Sequence, residues 1–158
     1  MKKNKGYFPL FLSLEGKRIF IAGAGKIAAR RAGVLLSFGA DLFITAPEYS
    51  GEMAELLQGE SSGSLIFQRK GFEERDLEGM DMVFAATDDP ALNHRITELC
   101  RERKIPVNNA SCKKDCDFFF PAILQEGGLT IGVSSGGDDH KKVADVCGKL
   151  RRFFRDGV

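Results

Sequence analysis

Two glycines spaced as Gly23-x-Gly25, with a small residue at Ala28, are the strongest chemical signal in this sequence. They lie between an apolar run, Lys17–Ala22, and a segment with helical apolar spacing at Ile27, Ala28, Ala32, Leu35 and Leu36. In that setting the first glycine permits a tight turn, and the second removes a side chain so that main chain can approach a diphosphate. Ala28 lets helix and strand pack closely. Free N–H groups at the positive end of the helix then meet the anion. Gly23, Ala24, Gly25, Lys26, Ile27 and Ala28 are therefore read as a dinucleotide-binding turn rather than a purely structural one.

The carboxylate that grips an adenosine ribose should close the second strand, near residues 45–48. That place holds Thr45, Ala46 and Pro47, with Glu48 one step late and no arginine among them. Thr45 and Pro47 are the expected contacts, a 2′-phosphate is not indicated, and NAD is the expected cofactor. A second contact is expected at Ala86-Thr87-Asp88, where small residues would let a ribose lie against main chain. Thr87-Asp88-Asp89-Pro90 reads equally as a cap for the following helix.

Other chemistry-bearing residues read more plainly. Cys112-x3-Cys116, with His140 and Cys147 later, lacks zinc-knuckle spacing, and Cys100 and Cys147 fall on apolar helix faces. They are read as structural thiols, and no metal is expected. If iron is handled, Cys112, Cys116 and His140 are the group to test. His94 reads as a surface histidine on a helix. The pairs Lys113-Lys114 and Lys141-Lys142 suit either a carboxylate-rich ligand or plain solvated surface.

The elements that must position these residues alternate. Strands are expected at Lys17–Ala22, Asp41–Thr45, Leu65–Arg69, Met82–Ala86 and Pro106–Asn108. Helices fall between them: one stopped by Gly39, a weak one at Glu52–Leu57, and one opened by Asp89-Pro90 with Leu92, Ile96, Leu99 and Cys100 on one face. Such alternation predicts an α/β fold with a parallel sheet. After Asn108 the pattern changes to a hairpin, Phe118–Leu124 and Leu129–Ser134 joined by Gln125–Gly128. A last helix, His140 to Phe154, carries Val143, Val146, Cys147, Leu150 and Phe154 on one side.

Composition bounds the function. The chain has 158 residues, with 23 Lys+Arg against 22 Asp+Glu, a balance that argues against a nucleic-acid binder. Apolar residues make up 43%, with 13 Phe, which excludes disorder. No run approaches the roughly 20 apolar residues that span a bilayer, so no membrane partner is expected. The start, Met1-Lys2-Lys3-Asn4-Lys5 before Tyr7–Leu14, imitates a signal peptide, but Pro9 interrupts it and Glu15-Gly16-Lys17-Arg18 follows. Four cysteines are too few for a disulfide scaffold, and a reducing, cytoplasmic setting is expected.

Several motifs in order resemble a known family. They are Tyr7-Phe8-Pro9-Leu10-Phe11-Leu12, the turn Gly23–Ala32, Ala85-Ala86-Thr87-Asp88-Asp89 with Asn93, Val107-Asn108, Cys116–Ala122 (CDFFFPA) and Leu129–Gly137 (LTIGVSSGG). Together they are similar to precorrin-2 dehydrogenase, the NAD-dependent siroheme-synthase domain, over residues 7–137. The resemblance implies oxidation of precorrin-2 to sirohydrochlorin with hydride passed to NAD+, and in some members insertion of Fe2+. It implies a Rossmann-type sheet over residues 1–110, and a strand-rich dimerisation hairpin plus C-terminal helix over 111–158. It also implies a homodimer and a tetrapyrrole substrate.

The sequence departs from that pattern in three places. The family's proposed proton-accepting carboxylate, ten residues before Pro121, is here Ser111. Asp138-Asp139-His140-Lys141-Lys142 stands where the family has a Ser-Pro pair, and the sequence ends at Val158. Dehydrogenation is therefore expected ahead of chelation, with a separate chelatase as a partner. Asn108 and Ser111 are expected to line the junction with substrate, and Asp115 is a nearby carboxylate; Asp117 is assigned to the strand start. Lys113, Lys114 and Ser135 are the expected contacts for tetrapyrrole carboxylates. The alternative is a non-catalytic tetrapyrrole- or NAD-binding regulator, or a delivery subunit for a chelatase.

Overall fold

A computed structural model describes residues 7–59 and 63–156; the basic start at 1–5 and the middle of the 59–64 loop lie outside them. The expected apolar runs form strands β1 (Arg18–Ala22), β2 (Asp41–Thr45), β3 (Leu65–Gln68), β4 (Met82–Ala85) and β5 (Val107–Asn109). They build one five-stranded sheet in the order β3-β2-β1-β4-β5, with every neighbouring pair parallel. The central strand β1 is buried from Ile19 to Ala22, as its unbroken apolar run requires.

Parallel neighbours need crossovers. Helices α1 (Lys26–Ser37), α2 (Gly51–Gln58) and α3 (Pro90–Glu102) supply three of them. The β3–β4 crossover has only a 3-10 turn, Glu74–Leu77, which drives Leu77 into the core beside Phe20, Val83 and Ile96. Charge fixes that turn: Lys70 Nζ lies 2.6 Å from Asp76 and 3.1 Å from Glu73.

Helix ends follow residue type. Gly39, at φ +79°, closes α1: its N–H donates to the Leu36 carbonyl at 3.0 Å, and Ala40 N–H donates to that of Leu35 at 3.2 Å. Asp89 caps α3 by accepting from Ala91 N–H at 2.8 Å and Leu92 N–H at 3.2 Å, with Pro90 at the first helical position.

Contacts divide the chain into two units. Leu12–Phe118 holds the parallel sheet, and residues 7–11 belong with 119–156. In the smaller unit β6 (Ala122–Glu126) pairs antiparallel with β7 (Leu129–Val133), and α4 (His140–Asp156) packs on both. The hairpin therefore starts later than the expected Phe118. Pro121 has no N–H to give a ladder, and the Phe118 carbonyl accepts from Asn108 Nδ2 at 2.8 Å instead. The turn is also tighter than Gln125–Gly128: Glu126 pairs with Leu129, leaving Gly127 and Gly128 at φ +54° and +80°. Two positive φ values make the mirror-image turn whose twist matches a two-residue hairpin. Among the described residues no helix is long and apolar enough to cross a membrane.

Candidate functional site

The sheet order reverses direction between β1 and β4, and in open parallel sheets ligands bind outside the carboxyl ends of strands at such a point. Gly23 and Gly25 stand there for different reasons. Gly23 adopts φ +103°, donates its N–H to the Thr45 carbonyl at 2.9 Å, and has no room for a Cβ, which would collide with the Ala86 carbonyl. The turns after β1 and β4 thus abut.

Gly25 is under no such constraint. Its φ is −76°, and a Cβ built on it meets nothing within 4 Å. It caps α1 without a side chain, and the first turn of α1 carries no acid. The positive end of α1 is left open above an exposed glycine, a cradle that fits a diphosphate. Ala24 and Ala28 are buried, whereas Ile27 is half-exposed. Lys26 Nζ lies 3.3 Å from Glu52 on α2, both side chains largely in solvent. The Glu52 carboxyl is held below its usual pKa, first by its own main-chain N–H and then by Lys26.

The second edge of the site is a polar network. Asn93 on α3 is fully buried. Its Oδ1 accepts from the Thr87 main-chain N–H at 3.0 Å and from the Thr87 hydroxyl at 2.7 Å. Its Nδ2 donates to the Thr87 carbonyl at 3.0 Å and to Ser111 Oγ at 3.1 Å. Ser111 Oγ donates in turn to Asn109 Oδ1 at 2.8 Å. The turn after β4 is thereby locked to the loop after β5, while Asp88 stays exposed at its tip. Asn93→Ala should cost about 2–3 kcal/mol, because it strands buried donors and acceptors at once; urea unfolding measures it.

Ser111 Oγ thus both accepts from Asn93 and donates to Asn109. Asn108, 3% exposed, accepts from Arg31 Nη1 at 2.8 Å and donates to the Phe118 carbonyl. Its amide ties α1 to β5 and to the residues that follow. Burial lowers the Arg31 pKa; Arg30 lowers it further and Cys116 opposes. Asp117 does not start a strand. Its Oδ2 accepts from Val107 N–H at 3.0 Å and its own N–H returns to the Val107 carbonyl at 2.9 Å, extending the pairing of β5.

Asp115 ends a 3-10 turn, Lys113–Asp115, with Oδ2 2.9 Å from His94 Nδ1 and Oδ1 3.6 Å from Arg101. The His94 hydrogen bond holds its carboxyl below the usual range. A carboxylate depressed in the folded state stabilises above its unfolded pKa, about 4, and loses that contribution as pH falls through the lower folded value. Acid titration of unfolding should therefore show a steeper limb below about pH 4 in the native chain than in His94→Asn. His94 is accordingly a surface residue, as its sequence position suggested, and its ring is hydrogen-bonded to Asp115.

Lys113 and Lys114 are exposed on the same turn as Asp115. Ser135 belongs to the smaller unit, where its Oγ accepts from Asp139 N–H at 2.9 Å. All four cysteines are free. Burial pushes Cys100 up to about 12 and raises Cys116, whose sulfur bonds the Asn109 main chain on both sides. Among the described residues no three metal-binding side chains converge.

Local reading of residues 45–48 missed one charge. Arg69, just past β3, donates from Nε to the Pro47 carbonyl at 3.0 Å. The available signal was strand order: parallel pairing of β2 with β3 sets Thr45 opposite Gln68.

Comparison with known proteins agrees with this fold. A family described as "Putative NAD(P)-binding" matches residues 10–122. The "Probable multifunctional siroheme biosynthesis protein HemA" of Ruminiclostridium josui is 40% identical over 150 residues, covering 94% of this chain and 28% of that protein. A "Siroheme synthase" of Pseudomonas fluorescens (strain SBW25) is 40% identical over 132 residues, 84% of this chain and 28% of its own length. The chain thus spans less than a third of these curated relatives. The solved structure "SirC, precorrin-2 dehydrogenase" superposes with a TM-score of 0.75 at 26% identity, covering 91% of this chain and 69% of that one.

Proposed function

Since this chain belongs to that NAD(P)-binding family, we propose that it is a precorrin-2 dehydrogenase, which oxidises precorrin-2 to sirohydrochlorin and passes the hydride to NAD+. One observation carries the reading: the unfilled position above Gly25, at the bare positive end of α1 and beside the turn after β4. The relatives' names supply the substrate class.

In this reading Gly25, Lys26 and the first N–H groups of α1 hold the diphosphate. Thr45 and Pro47 bound the adenosine side. Ala86, Thr87 and Asp88 underlie the nicotinamide ribose, on main chain that Asn93 holds still. When bound, the nicotinamide ring supplies the hydride acceptor. Asp115, kept ionised by His94, is the group assigned to take the proton that leaves with the hydride. Ser111 and Asn108 position the loop after β5, and Lys113, Lys114 and Ser135 are assigned to substrate carboxylates.

We assign dinucleotide binding to the first 110 residues and association of two copies to residues 111–158. The exposure of Leu129 and Phe153, at 57% and 55%, supports a second copy there. Free thiols support a reducing, cytoplasmic setting.

Anaerobic incubation with precorrin-2 tests the proposal, by following sirohydrochlorin and NADH together with and without NAD+. Joint, NAD+-dependent appearance of both products is expected. Binding of cofactor and tetrapyrrole without turnover would select the second reading, a non-catalytic binder serving a separate chelatase. That reading is favoured by the committed Ser111 hydroxyl at the family's carboxylate position.

A further inference from the structure

On the proposed cofactor reading, we infer that Arg69 makes the adenosine end of this site accept the 2′-phosphate of NADP+ as well as the bare ribose of NAD+. Discrimination against that phosphate ordinarily comes from a carboxylate closing the second strand, and its acceptance from a nearby arginine. Here the strand closes on Thr45, whose hydroxyl is buried and lacks a hydrogen-bond partner among the described residues. A neutral residue there does not repel a phosphate.

The cation comes from the neighbouring strand. Arg69 follows Gln68, the residue paired with Thr45, and reaches back to the Pro47 carbonyl through Nε. That single bond holds the guanidinium alongside the loop after β2. The loop is itself pinned: Ser50 N–H donates to the Ala24 carbonyl of the glycine turn at 3.0 Å, and the Tyr49 ring stands edge-on to Phe67 at 5.4 Å. The charge therefore has a defined place on the side of the turn where an adenosine ribose would lie. A planar fork of N–H donors suits a phosphate dianion better than a point charge does.

Two carboxylates share the region, and neither occupies the position of the missing acid. Glu52 faces Lys26. Glu48 is exposed, three residues beyond Thr45. If Glu48 governed the site, the native chain would reject NADP+.

Calorimetric titration of the full chain with NAD+ and with NADP+ separates these cases, for the native sequence and for Arg69→Ala. The native chain should bind the two within about tenfold of each other. Arg69→Ala should weaken NADP+ by about tenfold or more, the scale of one charge-assisted contact, and move NAD+ by less than about threefold. Arg69 is exposed, so the variant should melt with the native chain. NAD+ binding with NADP+ more than about a hundredfold weaker overturns the inference and leaves the cofactor site standing. So does an equal loss of both dinucleotides in Arg69→Ala. Failure of the folded native chain to bind either overturns the site and the inference together.

Discussion

Gly25→Asp should lower dinucleotide affinity by about a hundredfold or more while leaving the melting temperature of the free protein unchanged or slightly raised. The backbone at Gly25 is extended, with φ −76°, so any residue can adopt it, and a Cβ there meets open space. An aspartate would also cap α1, whose first turn has no acid, and caps of this type outperform glycine by a few tenths of a kcal/mol. In the proposed site the same carboxylate would stand where the diphosphate is assigned, against like charge and without room. Gly25→Ala should show the steric part alone, with a loss of about tenfold. Calorimetric titration and a thermal melt on the same samples read both effects. Native-strength NAD+ binding by Gly25→Asp would remove the glycine turn from the cofactor site.

Gly23→Ala is expected to fail in the opposite way, through the fold. At φ +103° an alanine is strained, and its methyl group would run into the Ala86 carbonyl and crowd Ala86 C and Thr87 N, the latter at 2.9 Å. Those are main-chain atoms that cannot rotate away. They are also held by Asn93 and by the Ala86 N–H bond to Ala22 at 2.9 Å. Separating the turns after β1 and β4 should cost about 3 kcal/mol or more, a fall of about 6–12 °C in melting temperature for a chain of this length. A denaturation midpoint equal to that of the native chain would show that the two turns do not abut in solution. The pair of variants separates two glycines that look equivalent in the motif: one is demanded by protein packing, the other leaves space for a ligand.

Much of the larger unit was legible because its signals are local. Lys17–Ala22 reads as a strand because it is apolar on both faces, and Gly39 stops α1 because positive φ suits glycine there. Asp89-Pro90 opens α3 through a cap and a preset φ. The Gly23–Ala28 turn likewise falls where its residues place it, between β1 and the start of α1. The hairpin was read less well, since Phe118 is as apolar as any strand residue. It leaves the ladder because its carbonyl goes to Asn108, its ring stands edge-on to Phe84 at 5.4 Å, and Pro121 cannot donate.

Residue order alone therefore determined the alternation of strands and helices, the place of the glycine turn between β1 and α1, and the absence of an acid at the end of β2. Folding decided what surrounds that turn. Asn93 lies six positions beyond Thr87 and Ser111 a further eighteen, yet one buried amide joins them. Asp115 finds His94 twenty-one positions away, and Arg69 reaches Pro47 across twenty-two. Side-chain partners at such separations are set by strand order and register, which depend on the packing of the whole sheet rather than on any window of sequence.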